Sequence, residues 1–317
     1  MSQTQSPPPS GPPYASRVAG IGGVPEVIPD VPISAVFIVL YLCFAVTNMT
    51  ILQINRRRQH KFVPSGALFG FSSSRIVTFT LRIAWATHQH NVRLAIAANI
   101  FVNAGVLVVY IVNLVLAQRI LRARQPAVGW HRSIGVVFKV LFVGIGAALV
   151  LVIYSVVQTA YTLDPDTLRA ARDIQLAATT YLLVFTTLPL WLHLLAHVLL
   201  PRSADEELFG HGRMRSKIII NLTATLICVL IAGFKTGTSW EAPRPVTDPA
   251  WYHSKPVFYV FNFVLELLVL SILTLSRVDK RFHIPDGSKQ PGDYSRGQPS
   301  RTTEKEGEST DQIGREV

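Results

Sequence analysis

The chain has 317 residues, 49% of them hydrophobic and only 15% charged, and its mean hydropathy is +0.34. That excludes an ordinary soluble domain, and two cysteines are too few for a disulfide framework. The formal net charge of +11 would suit a nucleic-acid binder, so the position of the basic residues has to decide what it means.

Residues 1–31 are rich in proline and glycine and lack the apolar run of a cleavable signal peptide. They are expected to form a disordered outer tail, with the first span acting as the targeting signal. A bilayer core about 30 Å thick needs roughly 20 mostly apolar residues per helix. Seven stretches qualify: 33–54, 65–87, 94–117, 134–160, 174–200, 217–236 and 256–276. Their short connections leave no room for a soluble catalytic domain. The expected fold is all-α, a seven-transmembrane helical bundle over residues 32–282, followed by a disordered cytoplasmic tail over 283–317. Cys43 and Cys228 both fall inside spans, as do the Asn48 and Asn221 glycosylation triplets.

Arg56, Arg57, Arg58 and Lys61 follow the first span, Arg119, Arg122, Arg124 and Arg132 the third, and Arg202, Arg213, Arg215 and Lys217 the fifth. With the tail, one side of the bundle carries 20 of the 30 lysines and arginines. Positive loops stay cytoplasmic, so the N-terminus is expected outside and the C-terminus inside. The basic excess is then a topology signal with an attraction to anionic lipid, and no nucleic-acid partner is expected. Trp85, Trp240 and Trp251 at the outer interface and Trp130 at the inner one fit the same orientation.

Arg75 and Arg82 lie two helical turns apart, on one face of the second span, and that face must point into the bundle. Glu266 is the one acid well inside any span, and counting about 1.5 Å per residue from the cytoplasmic ends puts it level with Arg75. An Arg75–Glu266 ion pair is expected, either to fix helix packing or to act in function. No span offers Arg82 an acid. It either snorkels to the outer interface or faces a water-filled mouth, where it would be the ligand-binding residue. Asn99, Asn103, Tyr110 and Asn113 fall on one stripe of the third span, and Tyr259, Asn262 and Glu266 on one stripe of the seventh. Arg75, Asn103, Glu266 and Asn262 are therefore the candidate intramembrane polar network. His193 and His197 are four residues apart on the fifth span, a weak metal signal lacking a third ligand, so neither a metal nor a cofactor is expected.

The segments "VPISAVFIVLY", "HKFVPSGALFGFSSSRIVTFTLRIAWAT", "NVRLAIAANIFVNAGVLVVYIVNLVLAQR", "GWHRSIGVVFKV", "YHSKPVFYVFNFVLELLVL" and "RVDKRFHIPDGSKQPGDYS" cover most of residues 31–295. In them the chain resembles a family of uncharacterised fungal seven-span proteins labelled family-C-like G-protein-coupled receptors. The resemblance implies a fungal multi-pass membrane protein and no established ligand. Asp-Arg-Tyr after the third span and Asn-Pro-x-x-Tyr in the seventh, marks of rhodopsin-like receptors, are absent. The leading expectation is a receptor-like protein, not an enzyme, in the plasma membrane or another secretory-pathway membrane. It would sense a small or lipidic ligand and meet a cytosolic signalling partner at its basic inner loops and tail. A transporter or lipid-translocating protein is the alternative, and an intramembrane metal hydrolase the third reading.

Overall fold

Backbone groups placed in hydrocarbon have to be satisfied within their own segment, which for a single chain of apolar runs means helices. The computed structural model describes residues 11–16, 18–58, 60, 62–199 and 206–295. It is all-helical apart from one isolated extended bridge, Val18 to Pro245, among the described residues. The helices are α1 (Val27–Arg57), α2 (Val63–Thr87), α3 (Val92–Ala104), α4 (Val106–Arg124), α5 (Pro126–Gly129), α6 (Arg132–Tyr161) and α7 (Pro165–Leu194). They continue with α8 (Met214–Trp240), α9 (Lys255–Tyr259), α10 (Leu265–Leu275) and α11 (Val278–Arg281). Segments of π-helix extend α7 over Leu195–Leu199 and join α9 to α10 over Val260–Val264.

Six helical stretches are each long and apolar enough to cross a membrane: Val27–Arg57, Val92–Arg124, Arg132–Tyr161, Pro165–His197, Met214–Trp240 and Lys255–Leu275. This is the pattern of a multi-pass membrane protein. α2 has 25 residues, but its two arginines and four serines keep it out of that set. Its polar side chains are satisfied locally: the hydroxyls of Ser72, Ser73 and Thr78 donate to the carbonyls of Leu68, Phe69 and Ser74 at 2.9, 3.0 and 2.9 Å. A helix can carry hydroxyls through an apolar surrounding in this way.

α2 packs between α1 on one side and α3 and α4 on the other, α10 packs on α8 and α1, and α6, α7 and α8 form the rest of the bundle. Gly144 lets α6 and α7 close up, since a Cβ there would fall 2.2 Å from the Tyr181 hydroxyl. That hydroxyl donates to the Leu141 carbonyl at 2.8 Å. Val27, Thr87, Trp240 and Lys255 mark one end of the bundle, the N-terminal face, and Arg57, Val63, Arg124 and Leu275 the other, the C-terminal face.

Both ends differ from the expectation of loose tails. Helix α1 begins at Val27, ahead of residue 32, and residues 11–16 and 18–26 run over the N-terminal face. Backbone N–H groups of Tyr14, Ala19 and Gly22 donate there to the carbonyls of Ala160, Arg244 and His253 at 2.7, 2.8 and 2.9 Å. At the other end, residues 283–295 fold back on the C-terminal face, while residues 1–10 and 296–317 lie outside the described residues.

The latch for this fold-back is Glu207, 5% exposed, whose two carboxylate oxygens accept from the N–H groups of Gly292 and Tyr294, each at 2.9 Å. Tyr294 is 1% exposed and packs edge-on against Trp130 with ring centroids 5.3 Å apart. Several basic residues of this face are used internally. Arg119 donates to the Phe282 carbonyl at 2.5 Å, Arg122 lies 4.4 Å over the Trp130 ring, Arg124 meets Glu206 at 3.1 Å, and Lys217 donates to the Phe209 carbonyl.

Replacing Glu207 by alanine removes two charge-assisted hydrogen bonds, each worth about 1.5–3 kcal/mol. We expect Glu207→Ala to speed tryptic cleavage at the exposed Lys289 at least about fivefold while helix content holds. Timed digestion with circular dichroism checks this, and an unchanged cleavage rate contradicts the latch.

Candidate functional site

Arg75 and Glu266 are both 0% exposed and face each other across α2 and α10. The guanidinium meets the carboxylate side-on, Nη2 donating to Oε1 at 2.7 Å and Nε lying 2.6 Å from Oε2. Two such contacts hold the pair more strongly and with more geometric precision than one. Its outer nitrogen, Nη1, turns away from the acid and donates to the carbonyls of Phe101 and Val102 at 2.9 and 3.1 Å. The rings of Phe71 and Phe263 close over the guanidinium at 5.4 and 5.5 Å.

Those two carbonyls are available because the helical hydrogen-bond ladder of Val92–Arg124 is interrupted. The chain turns at Gly105, between α3 and α4, where the Gly105 N–H reaches the Phe101 carbonyl at a long 3.4 Å. A Cβ at residue 105 would lie 2.8 Å from Ser74 Oγ and 2.9 Å from Arg75 Cζ. Glycine is required there for the guanidinium to reach the broken turn. Lys235 Nζ approaches the Val102 carbonyl from α8 at 3.4 Å, so a second cation borders the same break.

The expected polar stripe is only partly inside the bundle. Asn103 does not join Arg75: its amide donates to the Asn99 carbonyl at 3.0 Å, and Asn99 is exposed. Gly105 keeps helical dihedrals, φ −60° and ψ −40°, so the register runs on, but α3 buries only Ala98 and Val102 whereas α4 is enclosed on most sides. The stripe is therefore open at Asn99 and Asn103 and covered at Tyr110 and Asn113, 3% and 1% exposed. Backbone carbonyls occupy the place that Asn103 was expected to take. Asn262 is buried in the π-helical segment, its amide donating to the Phe258 carbonyl at 3.1 Å. The same segment leaves the Phe263 carbonyl free to accept from the Tyr41 hydroxyl at 3.1 Å.

Arg82 does have an acid, contrary to expectation. Asp30, 1% exposed, lies in the first turn of α1, and its Oδ1 is 3.7 Å from Arg82 Nη2. Oδ1 also accepts from the Tyr259 hydroxyl at 2.6 Å, while Oδ2 accepts from Lys255 Nζ and from the Glu26 N–H, each at 2.8 Å. Lys255 reaches Glu26 as well, at 3.0 Å. The Arg82 guanidinium is 1% exposed and stacks 4.1 Å from the Phe258 ring centroid, a cation–π contact in a dry setting. Asp30 escapes a reading of apolar runs because it stands just ahead of the first run, in a helix that starts earlier than its apolarity does.

A third polar group lies between α4, α8 and α7. Asn113 donates to Thr225 Oγ1 at 2.7 Å, and the Asn221 amide donates to the Asn113 carbonyl and Oδ1 at 3.0 and 2.6 Å. His193 Nε2 lies 2.7 Å from Asn221 Oδ1, an acceptor only, so Nε2 carries the hydrogen. His197 instead turns to the His193 carbonyl at 3.1 Å. The two histidines thus do not converge, and among the described residues no group of three His, Cys, Asp or Glu side chains is placed to hold a metal ion.

A family model described as "Protein of unknown function (DUF3112)" matches residues 210–283. That stretch contains Lys255, Tyr259 and Glu266 but neither arginine of α2. No curated protein and no solved structure matches the chain.

Removing one member of a buried pair leaves an uncompensated charge and costs about 3–5 kcal/mol. Glu266→Ala is expected to lower stability by about that amount, and Gly105→Val by about 1–3 kcal/mol through overpacking against Arg75. Denaturant unfolding in mixed micelles measures both, and wild-type stability in either variant contradicts the geometry.

Proposed function

We propose that the chain is a receptor-like seven-helix membrane protein, with α2 as the remaining span, whose conformations differ in whether α2 is tied to the seventh span, Lys255–Leu275. The observation that carries this reading is the double tie between those elements. Arg82 is held by Asp30 together with Phe258 and Tyr259 near the N-terminal face, and Arg75 by Glu266 deeper in the bundle. The π-helical segment Val260–Val264 lies between the two ties. A helix that carries a π-bulge next to buried charges has a natural place to bend, and such bulges gather at functional sites.

The ligand in this reading is a small or lipidic anion arriving at the N-terminal face, taken as the outer side. Arg82 is covered, whereas the Lys255 side chain is 25% exposed and that of Glu26 60% exposed. The anion first competes with Asp30 and Glu26 for Lys255, and Arg82 is its second contact. Only a ligand that binds the released arrangement better can shift the equilibrium, so its carboxylate or phosphate must replace the Asp30 interactions. On the C-terminal face, residues 283–295 cover the bundle end, and a cytosolic partner would need them displaced.

Transport is the second reading, favoured by the Thr225, Asn113, Asn221 and His193 chain, because buried polar residues in series are how a pathway for protons or ions is lined.

The test places spin labels at Val63 and Leu275, both exposed at the C-terminal face, and measures their separation in nanodiscs. Glu266→Gln and Asp30→Asn are each expected to broaden the distance distribution toward longer values. An unchanged distribution in both variants contradicts the switch. Ligand-independent proton flux in vesicles, lost in Asn113→Leu, would select transport instead.

A further inference from the structure

The C-terminal end of α1 carries Arg56, Arg57 and Arg58, all exposed, and among the described residues none of the three makes an ion pair. Two neighbouring cavities open beside them. One of about 270 Å³ is lined by Leu52, Arg56, His60, Phe62 and Val63, and one of about 320 Å³ by Gln53, Arg56 and Arg57. Arg56 is a wall of both. Neither lining contains an acid, and Asp279, which Asn55 of the same helix reaches at 3.3 Å, is held by Arg277 at 2.9 and 3.0 Å.

The floor of the smaller cavity is fixed. Phe62 is 1% exposed and lies 5.2 Å from the Arg119 guanidinium, so the aromatic ring is not free to swing into the space. α2 starts at Val63, so the positive end of its backbone dipole adds to the arginine field at this site. Beside the arginines, Leu52 of α1 and Val63 of α2, the latter 74% exposed, line the same cavity. These are apolar side chains at the level where both helices end. The site thus combines unpaired cations, a rigid aromatic wall and an apolar edge that opens sideways.

We propose that this cleft between α1 and α2 binds the headgroup of an anionic phospholipid. Its phosphate lies on Arg56, Arg57 and His60, and its first acyl carbons follow Leu52 and Val63. Free phosphate would satisfy the arginines but leave the apolar edge unused, so the lipid is the occupant that uses the whole site. A headgroup carrying an extra phosphomonoester gains more from three adjacent arginines than one with a single phosphodiester.

The test is native mass spectrometry of the full chain released from nanodiscs of phosphatidylcholine doped with phosphatidylserine or with a phosphatidylinositol bisphosphate. Wild type is expected to retain the anionic lipids over phosphatidylcholine, the bisphosphate most. The double variant Arg56→Gln/Arg57→Gln is expected to lose that retention by roughly ten- to thirtyfold, at about fivefold per surface arginine. Arg132→Gln, a change at another exposed arginine of the same face, is expected to leave it intact. Equal loss in Arg132→Gln, or no loss in the double variant, overturns the site. Displacement of the lipid by inorganic phosphate alone at comparable concentration overturns the lipid as its occupant.

Discussion

A guanidinium group taken out of water has to recover, from the protein, nearly everything that water gave it. α2 carries two such groups into the bundle, at 0% and 1% exposed, and the surrounding architecture follows from meeting that demand. For Arg75 the answer is one carboxylate and two backbone carbonyls, and for Arg82 a shared carboxylate and an aromatic face. Each answer recruits a different part of the chain. The result is that α2, although not among the six most apolar helical stretches, is tied to α1, to the α3–α4 junction and to the Lys255–Leu275 stretch at once.

Backbone irregularity is what makes these answers possible. Inside a regular helix each carbonyl already accepts from the N–H four residues ahead, and its second lone pair is reached chiefly by short hydroxyls of the same helix. The turn at Gly105 offers carbonyls of Phe101 and Val102 to Arg75, and the π-helical segment at 260–264 offers that of Phe263 to Tyr41. Both irregularities sit beside the buried charges. Places where a helix is already broken are also where it bends with least loss of hydrogen bonding, so the elements that satisfy the charges are the ones able to move.

The helices and the Arg75–Glu266 pair were legible in the sequence because both depend on periodicity and depth, which are linear in residue number. Asp30 was not, because an acid in the first turn of a helix looks like loop when only apolarity marks the start. Asn103 was misplaced for a different reason: angular spacing says which residues share a face but not how many neighbours enclose that face, and α3 is covered on fewer sides than α4. The fold-back of residues 283–295 had little signal beyond Trp130 and Tyr294, since its latch depends on Glu207, more than eighty residues away in the chain. The basic residues of that set that lie among the described residues gather at one face, yet Arg119, Arg122, Arg124 and Lys217 are engaged internally, a distinction that composition does not carry.

The central claim is that Arg75 and Glu266 act as one unit joining α2 to α10, and a double-mutant cycle of Arg75→Met and Glu266→Gln in bicelles tests it most directly. Contacting residues in a shared network couple by about 0.5–3 kcal/mol, and this account predicts a coupling in the upper part of that range, about 2–3 kcal/mol. Additive single-variant effects, within about 0.3–0.5 kcal/mol, would contradict it.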